Sequence, residues 1–233
     1  MSSTSERSFG SRLENARKLK TTLQSFQNYE PASGECSIDD LLTTIQSIET
    51  INPQVASALI GYRQSVSDRR IVYTNSPLSI KKIITPINAF TRAKFGKEAT
   101  SYIALNALVN KIRGTQLKAK NTTDSTTYSV FQQSYGSIIL NFQNLITNLE
   151  SLGIEYNPAN SNITITKLEE LKNQAIEKNN NVVEAYSQLS PKQDSRVELY
   201  NQLSQKATRI KDFVKSQYGV NSSEYNLIKG LKI

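Results

Sequence analysis

Apolar residues along this chain recur at spacings of three and four. In the run Tyr128, Phe131, Tyr135, Ile138, Phe142, Leu145, Leu149, Leu152 they form one seam. Such a seam predicts a helix of about seven turns with a single buried stripe. An earlier run, Phe9, Leu13, Ala16, Leu19, Leu23, Phe26, has the same character. A seam of this kind suits either a coiled-coil dimer or a bundle. The bundle is favoured because further amphipathic helices follow and can cover it. Strand alternation is confined to short stretches such as "NITIT" at 162–166. The predicted class is therefore all-α.

The two seams belong to a larger correspondence. A shift of 127 residues sets Tyr29 on Tyr156, Pro31 on Pro158, Leu41 on Leu168, Val55 on Val182, Arg69 on Arg196 and Tyr73 on Tyr200. Four extra residues around "TNSPLS" change the shift to 123, after which Ile80 meets Leu203, Ile87 meets Ile210 and Phe90 meets Phe213. Upstream, a shift of 126 pairs Leu13 with Ile139 and Leu23 with Leu149. Matches that keep their order over a whole copy read as an internal duplication. The expected organisation is a first helical repeat over 1–113, a polar linker over 114–126 and a second repeat over 127–233. Each repeat resembles a four-helix bundle, and the two are either packed in tandem or merged into one array.

Local signals place the helix ends. Ser37 with Asp40, and Thr166 with Glu169, have the spacing of capping boxes at the start of the second helix. Asn52-Pro53 predicts a break in that helix, since proline removes a donor and clashes with the preceding turn. Ser76-Pro77 and Ser190-Pro191 predict the start of the third helix, with proline at its first position, and Pro86 predicts a kink within it. "FGKEATSY" at 95–102 and "YGVNSSEY" at 218–225 are matched corners. Here Gly96 and Gly219 end the third helix in a left-handed C′ conformation. Phe95 and Tyr218 pack under the turn, and Tyr102 and Tyr225 pack a short fourth helix back on its bundle, over 98–113 in one copy and about 222–230 in the other.

The segments "SFGSRLENARKL", "SRVELYNQL" and "DFVKSQYGVNSSEYNLIKGLKI", with the doubled aromatic-Gly…Tyr motif, resemble a family of uncharacterised helical proteins from Bacteroidetes bacteria. The resemblance covers most of the chain and is best over the C-terminal 40 residues. It implies a helical fold and a bacterial source, and it carries no catalytic residues with it.

Composition narrows the chemistry. The 233 residues contain no histidine and a single cysteine, Cys36. That removes histidine-based general-base catalysis, nearly all zinc, copper and haem sites, and any internal disulfide. No Walker or dinucleotide-binding glycine loop and no G-x-S-x-G elbow occurs. The acidic pairs Asp39-Asp40 and Glu169-Glu170 fall in first turns of predicted helices, where the helix dipole stabilises carboxylates. No cofactor is expected. No run of about 18 apolar residues is present, and "MSSTSERSFGSRLENARKLK" lacks an apolar h-region. The expected location is cytoplasmic, without integral membrane association.

The net charge of +8 is unevenly spread. Residues 67–120 hold eleven basic and two acidic side chains, and residues 121–163 hold none basic and three acidic. Lys81, Lys82 and Arg92 lie about 100–200° around the third helix from the Ile80/Ile84/Ile87 stripe, at about 100° per residue. Lys94 and Lys97 flank Phe95-Gly96, and Arg69, Arg70, Lys111, Arg113, Lys118 and Lys120 extend the basic stretch. A face of this kind suits phosphates, with tyrosines as stacking surfaces. The bland alternative is a solvated face that maintains solubility. The leading expectation is a non-enzymatic helical interaction or scaffold protein with a protein partner. The alternative is a nucleic-acid or other polyanion binder through 67–120, and homo-oligomerisation is compatible with either.

Overall fold

A computed structural model describes residues 4–114 and 134–233 and is helical throughout, with no strand among the described residues. The helices are α1 (Thr4–Gln24), α2 (Ile38–Arg70), α3 (Ile80–Phe95), α4 (Thr100–Arg113), α5 (Tyr135–Glu150), α6 (Ile165–Tyr218) and α7 (Ser223–Ile228). The expected linker after Gly114, the seam positions Tyr128 and Phe131, and Lys118 and Lys120 lie outside the described residues.

Several helix ends follow the local signals. Ser37 Oγ accepts from the Asp40 amide at 3.1 Å at the head of α2. Ser222 caps α7 through the Tyr225 amide at 3.1 Å. Thr166, expected in a capping box, lies inside α6, which opens one residue earlier at Ile165. The Ser76-Pro77 pair also does not open α3. A π-helical turn over Ile71–Asn75 and a tight turn precede it, and the cap is Ser79. The stretch "TNSPLS" thus falls in the interruption between α2 and α3.

Two prolines expected at helix ends are interior. Pro53 lies within α2, and Pro191 within α6, which runs unbroken for 54 residues. Pro86 likewise lies within α3. Each missing N–H withholds a bond from the carbonyl four residues back, Glu49 for Pro53 and Ser187 for Pro191. Both of those residues are exposed rather than sealed in the core. Buried Ile48 and Val55 hold α2 on either side of Pro53, and buried Leu189 and Arg196 flank Pro191. Anchoring by tertiary packing offsets a local cost of about 3 kcal/mol.

The chain forms two compact units, Met1–Ile60 with Ser187–Ile233, and Gly61–Tyr186. The first contains α1, the front of α2, the rear of α6 and α7. Its core joins Leu19, Leu23, Leu41 and Ile48 to Tyr200, Leu203, Ile210 and Ile228. Within it α2 and α6 run antiparallel. Lys206 Nζ reaches Thr44 Oγ1 at 2.8 Å, and Asn52 Nδ2 donates to the Tyr200 hydroxyl at 3.1 Å.

The second unit contains the end of α2, α3, α4, α5 and the front of α6. Its core joins Tyr73, Ile84, Ile87 and Val109 to Phe142, Leu145, Leu149 and Leu168. Here too α2 and α6 are antiparallel: Tyr62 meets Tyr186 with ring centroids 5.8 Å apart and planes tilted by 56°, and Tyr73 donates to the Ala175 carbonyl at 3.1 Å. Each unit draws helices from both halves of the chain.

Positions matched by the shifts occupy like environments. Tyr29 donates to the Cys36 carbonyl at 2.7 Å, and Tyr156 to the Ile163 carbonyl at 2.6 Å, each reaching seven residues ahead. Tyr29 meets Phe213 edge-on at 5.8 Å, and Tyr156 meets Phe90 edge-on at 5.3 Å. Gly96 and Gly219 both have positive φ, 83° and 98°. Gly96 pairs its φ with ψ 164°, so it is not in the left-handed helical well expected at C′. It occupies the extended positive-φ region, which is essentially restricted to glycine.

Candidate polyanion-binding surface

The basic residues singled out in sequence divide into two groups. Lys82, Arg92, Lys94 and Lys97 are exposed. The core face of α3 is fixed by buried Ile80, Ile83, Ile84, Ile87 and Thr91. With about 100° per residue, Lys81, Lys82, Thr85 and Arg92 share the outer flank of the helix. Arg113, from the last turn of α4, donates to Thr85 Oγ1 at 3.2 Å and so sets another guanidinium on that flank. At 1.5 Å per residue, Lys82 and Arg92 are about 15 Å apart along the axis, with Thr85 between them. Lys94 and Lys97 stand at the C-terminal end of α3 and in the corner that follows. Their positive charge there also complements the helix dipole.

Arg69 does not belong to this surface. Its guanidinium carbon lies 3.8 Å from the Tyr135 ring centroid, and Nη1 donates to Asn179 Oδ1 at 3.1 Å. Tyr135 in turn meets buried Tyr73 edge-on at 4.7 Å. Arg70, one residue on, is exposed at the end of α2. The other unit has a matching cluster. Arg196, only 9% exposed, has its guanidinium carbon 4.7 Å from the Phe9 ring, and Phe9 lies 4.5 Å from Tyr200. The sequence carried a signal for both clusters: Arg69 and Arg196 are paired by the same shift as Tyr73 and Tyr200. The aromatic partners are distant in sequence, so the stacking itself was not legible.

Beside the Arg196 cluster is an open cleft of about 410 Å³, lined by Phe9, Asn52, Val55, Leu59 and Arg196 among others. Among the described residues no group of three or more Cys, Asp or Glu side chains is placed to hold a metal ion. Of the acidic pairs, Asp40, Glu169 and Glu170 are engaged with lysines. Asp40 Oδ2 lies 2.6 Å from Lys206 Nζ, Glu170 is 2.6 Å from Lys167, and Glu169 pairs with Lys172. Cys36 is buried, with its thiol near the Ser33 hydroxyl. No helix of the described residues is long and apolar enough to cross a membrane.

The paired tyrosines are used in packing. Tyr73 and Tyr200 are fully buried, Tyr156 and Tyr102 are buried, and Tyr29, Tyr218 and Tyr225 are half-buried. Tyr218 donates to the Gln27 carbonyl at 2.8 Å and meets Phe26 edge-on, while Phe95 is half-buried at the matching corner. Burial pushes the phenols of Tyr29 and Tyr73 up to about 12, and that of Tyr156 higher still. The unfolded chain ionises these groups near pH 10, whereas the folded chain keeps them neutral. Their contribution to stability is therefore intact below pH 10 and is lost as pH rises through about 12. Chemical denaturation at pH 9 and pH 11 should show a lower midpoint at pH 11. Tyr156→Phe, which cannot ionise, should reduce the difference between the two midpoints.

Comparison with family models, curated proteins and solved structures finds no match to this chain.

Proposed function

We propose that the chain is a non-enzymatic helical interaction protein and that the basic flank of α3 is its binding surface, directed at a polyanionic partner. The observation that carries this reading is the row formed by Lys82, Arg113 and Arg92 along the outer flank of α3, with Lys97 exposed in the corner beyond it, while the opposite face of the helix is locked into the core. A row about 15 Å long on a rigid helix presents its charges at fixed spacing. That suits a ligand carrying regularly spaced negative groups, and releasing its counterions supplies the binding free energy. The tyrosines expected to stack on bases are committed to packing, which favours recognition of the charged backbone over recognition of bases.

Binding should be measured with labelled inorganic polyphosphate and with a single-stranded oligonucleotide, from 50 to 200 mM salt. Four phosphate contacts on a flexible strand predict a loss of roughly 50-fold over that range. Lys82→Glu with Arg92→Glu should weaken binding of both probes at least ~10-fold at the lower salt, while the circular dichroism spectrum is retained. Binding that is absent at 50 mM, or unaffected by salt, would remove the proposal.

The same reading treats the chain as internally duplicated. The matched hydrogen bonds of Tyr29 and Tyr156, the two edge-on Phe–Tyr pairs and the two arginine–aromatic clusters support it. The basic flank is then a feature of one copy, since the positions matching Lys82, Arg92 and Lys94 are Gln205, Lys215 and Gln217.

A further inference from the structure

We infer that the two sequence halves are each other's binding partners: neither 4–114 nor 134–233 has a core of its own, and each folds by pairing with the other. The composition of the units carries this. In the unit formed by Met1–Ile60 and Ser187–Ile233, α1 and the front of α2 close their apolar stripes on the rear of α6 and on α7. Leu19 and Leu23 from one half share a core with Ile210 and Val214 from the other. In the unit Gly61–Tyr186, α3 and α4 of the first half pack on each other, and that pair completes its core only by closing on α5 and the front of α6 of the second, where Ile84 and Val109 join Phe142 and Leu168.

The polar groups cross in the same way. Arg12 Nη2 donates to the Tyr200 carbonyl at 2.5 Å and to Ser204 Oγ at 2.7 Å. Arg69 reaches Asn179, and Tyr73 reaches the Ala175 carbonyl. Separating the halves would expose both cores to water and leave these groups without their partners. Each half therefore presents a surface that fits the opposite half of the same molecule.

Two measurements test this on the full chain. In native-state hydrogen exchange, amides of Leu19 and Ile210 should share one opening free energy, and those of Ile84 and Leu145 should share one. A single value common to all four also supports mutual dependence of the halves. Exchange that sorts by sequence half, with Leu19 following Ile84 and Ile210 following Leu145 at two distinct values, would overturn it.

The second measurement places a protease recognition sequence between Asp124 and Ser125 and cleaves the folded protein. The fragments should co-elute at the mass of the intact chain, separate in denaturant, and re-form the same species on mixing after its removal. Fragments that part under native conditions as two helical, cooperatively melting proteins would refute the inference. Should the insertion itself prevent folding, exchange on the unaltered chain decides the question.

Discussion

Replacing Tyr73 by alanine should lower the unfolding free energy by about 3–5 kcal/mol, the range for removing a fully buried aromatic side chain. Tyr73 is wholly inaccessible, and its ring meets Tyr135 edge-on at 4.7 Å. Its hydroxyl donates to the Ala175 carbonyl at 3.1 Å. Alanine removes the ring, opens a cavity beside Tyr135 and takes away the edge that orients the face on which Arg69 rests. Phenylalanine keeps the ring and loses only the donor, so Tyr73→Phe should cost about 1 kcal/mol. Tyr200→Ala should cost a similar amount to Tyr73→Ala, because Tyr200 is equally buried between Phe9 and the Arg12 guanidinium. Urea denaturation of the four proteins checks the ordering. An alanine variant that loses no more than the phenylalanine variant would show that the ring contributes little.

These residues also mark how far the chain could be read without coordinates. The apolar stripe of α3 was legible because Ile80, Ile84 and Ile87 recur with the helical period, and all are buried. The cap at Ser37 was legible because it acts over three residues. Pro53 and Pro191 misled because their effect is local while the helices around them are held from outside. A cost of about 3 kcal/mol decides the outcome in an isolated peptide but not in a helix anchored on both sides of the proline. Composition of the two units was not legible at all. A periodic stripe says that a face is covered; it does not say by which helix, and Leu23 is covered from nearly two hundred residues away.

The candidate surface divides along the same line. Lys82 and Arg92 are exposed, in keeping with their angle from the isoleucine stripe, which depends only on the helix. Arg69 sits one residue from exposed Arg70 yet stacks on Tyr135, and its position depends on a contact between distant segments. The sequence correspondence offers a partial remedy: arginine stands at both 69 and 196, each with a tyrosine four residues later, and both guanidiniums rest on aromatic rings.

Gly96→Val and Gly219→Val should each destabilise the protein by about 1–3 kcal/mol, through the backbone rather than through crowding. A β-carbon at either position meets no atom within 4 Å, so there is space for the side chain. The obstacle is conformational: φ is 83° at Gly96 and 98° at Gly219, where a β-branched residue is strongly disfavoured. Both glycine amides close the preceding helix, onto the Arg92 carbonyl at 3.0 Å and the Lys215 carbonyl at 3.0 Å. A backbone that relaxes to negative φ would redirect the chain away from α4 or α7. Tyr102 is buried two residues into α4, and Tyr225 packs against the core at the matching place in α7. Relaxation therefore exchanges strain for lost burial, and neither route is neutral. Gly10, which lies inside α1 with no positive φ and equal open space, serves as the control. Gly10→Ala should be neutral or stabilising by up to about 1 kcal/mol, as alanine suits a helix interior. Thermal melts of the three variants separate the two explanations. If Gly96→Val and Gly219→Val melt with the parent protein, the positive-φ corner is not what holds these turns.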